Sequence, residues 1–156
     1  MRVTIAAVGR LKAGPEKALL DDYLNRFDRT GRPLGLGPAT LREVEDRKGG
    51  GPAGEAALLR AALPAGAHLV VLDERGKTMT SVAFSERLSD WRDQGKRDVA
   101  FVIGGADGLV HDLRVAADTS LSFGPMVWPH MLARVMLAEQ LYRAASIAAG
   151  TPYHRV

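Results

Sequence analysis

The chain contains no cysteine, which excludes disulfides, thiolate metal ligands and a cysteine nucleophile. No apolar run approaches the roughly 18 residues of a membrane span. The opening residues, Met1-Arg2-Val3-Thr4-Ile5, enter a strand pattern at once and lack a signal region with a small-residue cleavage site. No internal repeat and no linker interrupts the 156 residues, so a single domain over 1–156 is expected, large enough to bury a core. Together these absences predict a cytoplasmic protein. No pair among the four histidines has zinc-site spacing, so no metal is expected. Charge of one sign is barely in excess: a formal net charge of +3 permits a nucleic-acid partner without demanding one.

Two phosphate-binding signatures are missing as well. Gly76-Lys77-Thr78 looks like the end of a P-loop, but the glycine required five residues before Gly76 is Val71. The first strand is followed by Gly9-Arg10-Leu11-Lys12-Ala13 instead of a G-x-G-x-x-G turn, which argues against NAD or FAD.

What the sequence does contain is an alternation of short apolar strands and helices. Strands are expected at 2–8, 40–44, 68–72, 98–103 and about 120–123. Pro15 opens a helix carrying Leu19, Leu20, Tyr23, Leu24 and Phe27 at helical spacing. Further helices are expected at about 53–63, after Thr80 or Ser81, up to about Ala117, and at about 131–149. Residues 30–38 and 73–77 read as loops, and the basic, glycine-rich 47–52 as a mobile break. Continuous apolar strands separated by helices predict an α/β domain with a largely parallel sheet covered on both faces.

Two regions have the residues for chemistry. Gly104-Gly105-Ala106-Asp107-Gly108 follows a buried strand, where open α/β sheets place ligands. It is read either as a ligand loop or as a tight turn needing positive φ. The second region is the end of the chain. Trp128-Pro129-His130 leads into a helix that is apolar on much of its circumference, which suits either a second subunit or a central core position. Glu139 and Arg143 are spaced to pair along it. Tyr153-His154-Arg155 then places a phenol, an imidazole and a guanidinium in a row, groups that stack on a base, move a proton and hold a phosphate. His68 and His111, each at the start of an expected element, are read as structural.

Three stretches carry a resemblance: F-V-I-G-G-A-D-G, W-P-H-M-L-A-R-V-M-L-A-E-Q-L-Y-R-A and the terminal P-Y-H-R. With the opening V-T-I-A-A-V-G-R-L-K they resemble, over the whole chain, the large-subunit ribosomal RNA methyltransferase H family of small SPOUT-class enzymes. The resemblance implies a C-terminal trefoil knot and a homodimer with its active sites at the interface. The implied reaction moves a methyl group from S-adenosylmethionine to N3 of a pseudouridine in helix 69 of 23S rRNA. The expected cofactor pocket is Leu72, Gly104 and the segment Phe123, Gly124, Pro125, Met126, Val127 and Trp128. Gly124-Pro125 departs from the family pattern, and Pro125 has no N–H to offer the cofactor.

The implied catalytic residues are His154, Arg155, Tyr153, His130 and Arg143. His154 is the first candidate to take the N3 proton. Arg155 would stabilise charge on the ring carbonyls, and Tyr153 would stack on or orient the base. Arg143 and His130 would support the tail or hold phosphate. The basic segment Arg42, Arg47 and Lys48 is expected either to reach the ribosome or to be a solvated loop. Two other functions fit the same scaffold: a methyltransferase acting on transfer RNA, and a non-catalytic RNA- or ribosome-binding protein with a degenerate pocket.

Overall fold

The computed structural model describes residues 1–155. Five strands form one parallel sheet: β1 (Arg2–Val8), β2 (Ala39–Val44), β3 (His68–Lys77), β4 (Asp98–Ile103) and β5 (Thr119–Leu121). Their order is β2-β1-β4-β3-β5, and every pairing is parallel. The helices are α1 (Pro15–Gly31), α2 (Gly51–Ala62), α3 (Ser81–Asp93), α4 (His111–Ala116) and α5 (His130–Ala149).

The apolar runs follow from burial on both faces. All six residues of β4 are buried, at the centre of the sheet. In β1 the side chains alternate between faces, as strand geometry requires. Val3, Ile5 and Ala7 join Phe101, Leu137 and Leu141 in a core under α3 and α5. Ala6 and Val8 join Val71, Val102, Ala56, Leu59 and Leu113 in a second core under α2 and α4. Helices therefore cover both faces, the arrangement a parallel sheet needs to bury its apolar strands.

Helix ends follow their sequence signals. Pro15 stands in the first turn of α1. Thr80 caps α3 by accepting from the Ala83 N–H at 3.1 Å. Gly150 takes a left-handed φ of 70° after α5, and Thr151 N then donates to Ser146 O at 3.0 Å. This turn sends the tail back along α5.

Several expected boundaries move. The loop expected at 73–77 falls within β3, where residues 73–76 form an irregularity between Leu72 and Lys77, both of which pair with Leu121 of β5. Gly76 is thus part of a strand and no phosphate loop; a Cβ there would meet the Ser120 carbonyl carbon at 2.8 Å. The expected loop at 30–38 contains the end of α1 and a 3₁₀ turn at Arg32–Leu34. The break at 47–52 contains the start of α2, where Gly51 has φ 64°. The last strand ends at Leu121, two residues before the expected Phe123.

Candidate active site at the glycine loop and the C-terminal tail

A cavity of about 630 Å³ opens at the C-terminal ends of β3 and β4. Three segments wall it: Leu72 to Arg75 of β3, the loop Gly104 to Leu109, and the stretch from Phe123 to His130. The glycine loop closes on itself, with Gly108 N donating to Gly105 O at 3.0 Å. A Cβ on Gly104 would meet the Gly108 backbone at 2.8 Å, so glycine at 104 is required by the loop's own close approach. The loop is a tight turn, with Gly108 at φ 74°, and it also lines the cavity.

Of the expected cofactor residues, Leu72, Gly104, Phe123, Gly124, Met126, Val127 and Trp128 all line this cavity. Pro125 is exposed and is not part of the wall. The segment is tied to β3 through Ser122, whose Oγ donates to Glu74 O at 3.1 Å and accepts from Gly124 N at 3.0 Å. Beyond the tie the chain is bare. Met126, Val127 and Trp128 are 70, 83 and 42% exposed, next to the similarly exposed Met131 and Leu132.

His130 opens α5 and lines the same cavity. Burial, together with the nearby Arg134 cation, holds its imidazole below the usual histidine range. Arg134 itself is fully buried. It donates to Val8 O, to Gly9 O at 2.8 Å and to Glu43 Oε2 at 2.8 Å. Glu43 Oε2 also accepts from Leu11 N at 2.7 Å. The first turn of α5 is thereby fixed to the ends of β1 and β2. Gly9 has φ 87°, and its position for a Cβ lies 3.8 Å from His130 Nε2.

The remaining catalytic candidates form a separate cluster at the other end of α5. Glu139 Oε1 accepts from Arg143 Nε at 3.0 Å, from Arg143 Nη2, and from the Tyr153 hydroxyl at 2.9 Å. Arg143 Nη1 contacts His154 Nδ1 at 3.2 Å, and its guanidinium lies 4.8 Å from the Tyr153 ring centre. Tyr142 packs on Tyr153 with ring centres 4.4 Å apart. Desolvation and the hydrogen bond to Glu139 push the Tyr153 phenol well above its usual range, so it stays a donor. Arg155 is exposed beyond this cluster.

The structure thus brings His130 to the cavity, and it brings Arg143, Tyr153 and His154 together elsewhere. Arg143 lies about 20 Å beyond His130 along the helix at 1.5 Å per residue. None of the described tail residues lines the cavity of its own chain.

His68 is structural, as expected: Nε2 lies 3.2 Å from Thr119 Oγ1 and the ring stacks on Trp91 at 4.4 Å. Arg47 pairs with Glu45 at 3.2 Å, and Arg42 donates to Ala62 O. Among the described residues no group of three or more His, Asp or Glu side chains could hold a metal. Nor, among the described residues, is any helix long and apolar enough to cross a membrane.

Sequence reasoning gave Arg134 no role, missed Glu43, and saw Glu139 only as a partner for Arg143, not for Tyr153. A signal existed for the first: Arg134 stands in an apolar helix with no acid three or four residues away on either side. A charge without a local partner needs a distant one.

Residues 1–154 match a sequence family described as "Predicted SPOUT methyltransferase". Proteins called ribosomal RNA large subunit methyltransferase H, from Dinoroseobacter shibae and Ruegeria pomeroyi, are each 69% identical over 156 residues, covering all of both chains. A solved structure of a probable methyltransferase from Bordetella pertussis shares the fold with a TM-score of 0.52 and 17% identity, over 92% of this chain and 96% of that one. Full-length identity at this level and the family match agree with the parallel sheet and its loop cavity: the chain belongs to the SPOUT methyltransferases and, among them, to the ribosomal RNA large subunit methyltransferase H family.

Proposed function

We propose that this chain is a cytoplasmic, S-adenosylmethionine-dependent methyltransferase that acts as a homodimer on N3 of a pseudouridine in helix 69 of 23S rRNA, in the assembled ribosome. The observation that carries this reading is the separation of two half-sites on one chain. A cavity with no catalytic tail lies at one end of α5, and a catalytic tail with no cavity lies at the other. A two-fold axis across α5 would bring the tail of one subunit to the cavity of its partner. The exposed apolar stretch from Met126 to Leu132, beside the cavity, supports that pairing.

The cavity suits the cofactor. Its volume falls within the range of small-molecule sites. Leu72, Phe123 and Trp128 offer apolar walls for an adenine, Gly104 and Gly108 let backbone groups approach, and Asp73, Glu74 and Asp107 supply carboxylates near a cationic ligand. Held there, S-adenosylmethionine would supply the methyl group and leave as the thioether with the C–S electron pair. The chain's own task is to position the target nitrogen and remove its proton. Tyr153 offers a ring face to the base, Arg143 and Arg155 offer charge to ring carbonyls or phosphate, and two imidazoles, His130 and His154, are available for the proton. A cavity of this size and a tail held to Glu139 and Arg143 count against a non-catalytic role.

The test incubates the protein with labelled S-adenosylmethionine and ribosomes lacking this modification, beside free 23S rRNA and bulk tRNA. Label at the helix 69 pseudouridine, greater in ribosomes than in free rRNA, is expected. Label in tRNA alone would reject the target and keep the chemistry. No label and no cofactor binding would reject the enzyme.

A further inference from the structure

The two histidines of the composite site stand in opposite hydrogen-bonding situations. Arg143 Nη1 lies 3.2 Å from His154 Nδ1. Arginine has donors only and does not deprotonate in proteins, so Nδ1 must accept. In a neutral imidazole the proton then sits on Nε2, which makes the outward ring nitrogen of His154 a donor. Glu139 enforces this by gripping Arg143 through Nε and Nη2, and Tyr153 fixes Glu139 in turn. For His154 to accept a proton through Nε2, Nδ1 would have to carry hydrogen and face the Arg143 cation. His130 is the converse case. Among the described residues neither of its ring nitrogens has a hydrogen-bond partner, and it lines the cavity where the methyl donor would bind.

We infer, on the proposed reading of the site, that His130 takes the N3 proton while His154, set by Glu139 and Arg143, donates a hydrogen bond from Nε2 to a carbonyl oxygen of the same base. The N3–H bond breaks, its proton passes to a ring nitrogen of His130, and its electron pair stays on N3 to form the new N3–C bond. His130 then returns the proton to water. The donor on the carbonyl stabilises the negative charge that N3 ionisation spreads into the ring. Glu139 acts only through Arg143 and is a positioning residue.

The surroundings of His130 suit a base. On its own helix it faces Arg134, whose charge is balanced by Glu43 of β2. Across the cavity stand Asp73, Glu74 and Arg75 of β3 and Asp107 of the glycine loop. Burial, with Arg134 adding to it, favours its neutral form, which has a lone pair available.

Two measurements test the assignment. In the protein without substrate, ring ¹⁵N shifts are expected to show the Nε2–H tautomer for His154, lost in Glu139→Ala; an Nδ1–H tautomer would overturn the donor role. On ribosomes, the wild-type pH–rate profile is expected to fall on its acid side as the base protonates. His130→Gln should lower the neutral-pH rate by about 10²-fold or more and replace that limb with a rise at higher pH, where N3 ionises without a protein base. His154→Gln should keep the acid limb and lose about tenfold less than His154→Ala, because glutamine still donates. An acid limb that stays at its wild-type position in His130→Gln and disappears in His154→Gln would overturn the inference. If wild type fails to label helix 69, the target reading falls, while the tautomer result stands apart from it.

Discussion

Arg134 Nη1 lies 2.8 Å from Glu43 Oε2, joining residues 91 apart in sequence, and the arginine is fully buried. The pair links the helix that leads into the C-terminal tail to the edge of the sheet. Its energetics are asymmetric. Removing one partner of a buried ion pair leaves a charge uncompensated and costs about 3–5 kcal/mol. Arg134→Met also strips a donor from the Val8 and Gly9 carbonyls, and Glu43→Gln weakens the acceptor for Leu11 N. Each single variant should therefore unfold at clearly lower urea. The double variant should be destabilised by less than the sum, with a coupling energy of about 1–3 kcal/mol. Strict additivity in urea unfolding would show that the two side chains do not depend on one another.

The glycine loop predicts a specific sensitivity. Gly104→Ala drives a Cβ into the Gly108 carbonyl carbon and oxygen, both 2.8 Å away and both backbone. Overpacking of this kind costs about 1–3 kcal/mol. The loop must open, which should weaken S-adenosylmethionine binding by about tenfold or more in calorimetry. Gly108→Ala meets no atom within 4 Å, but its φ of 74° makes alanine strained by about 1–2 kcal/mol. Equal cofactor affinity in Gly104→Ala and wild type would count against the loop as a cofactor wall.

His68 predicts a pH effect on stability. Burial holds its imidazole below the usual value, with Asp118 partly offsetting this and Lys96 adding to it. The unfolded chain, titrating near 6.5, binds more protons than the folded one between the two values, so stability rises with pH there. This contribution is fully present above about pH 6.5 and is lost as pH falls toward the folded value. His130 acts with the same sign. Urea midpoints should fall from pH 7.5 to 5.5, and His68→Gln should flatten part of that slope. An unchanged slope would mean that His68 remains protonatable inside the fold.

Much of this architecture was legible because burial on both faces forces continuous apolar runs. Residues 2–8 and 98–103 could be little else, and they are the paired central strands β1 and β4. Residues 73–77 were not legible, since Asp73-Glu74-Arg75-Gly76-Lys77 looks like a polar loop. They lie within β3 as an irregularity: Leu72 and Lys77 both pair with Leu121 of β5, and residues 73–76 stand between the two pairings, which composition does not reveal. The catalytic candidates were visible as residue types at the chain end. Their arrangement was not, because the contacts of His154 and Tyr153 run through Glu139, whose only local signal was its spacing to Arg143. The Arg134–Glu43 pair depends on tertiary distance alone.

The separation of cavity and tail makes a prediction about subunit sharing. Gly104→Val would disable the cavity of a chain and leave its tail intact. His154→Ala with Arg155→Ala would disable the tail and leave the cavity intact. Each homodimer should have little activity. A heterodimer purified with two different tags contains one site built from the two disabled halves and one site built from an intact cavity and an intact tail. If the tail crosses to its partner, that second site works, and the heterodimer should recover about half of wild-type activity per dimer. If each tail folds back to its own cavity, every site in the heterodimer contains one disabled half and activity stays near zero. The single-chain geometry favours crossing. Glu139, Arg143 and the ring of Tyr142 hold the tail against the C-terminal half of α5, while the cavity opens beyond its first turn.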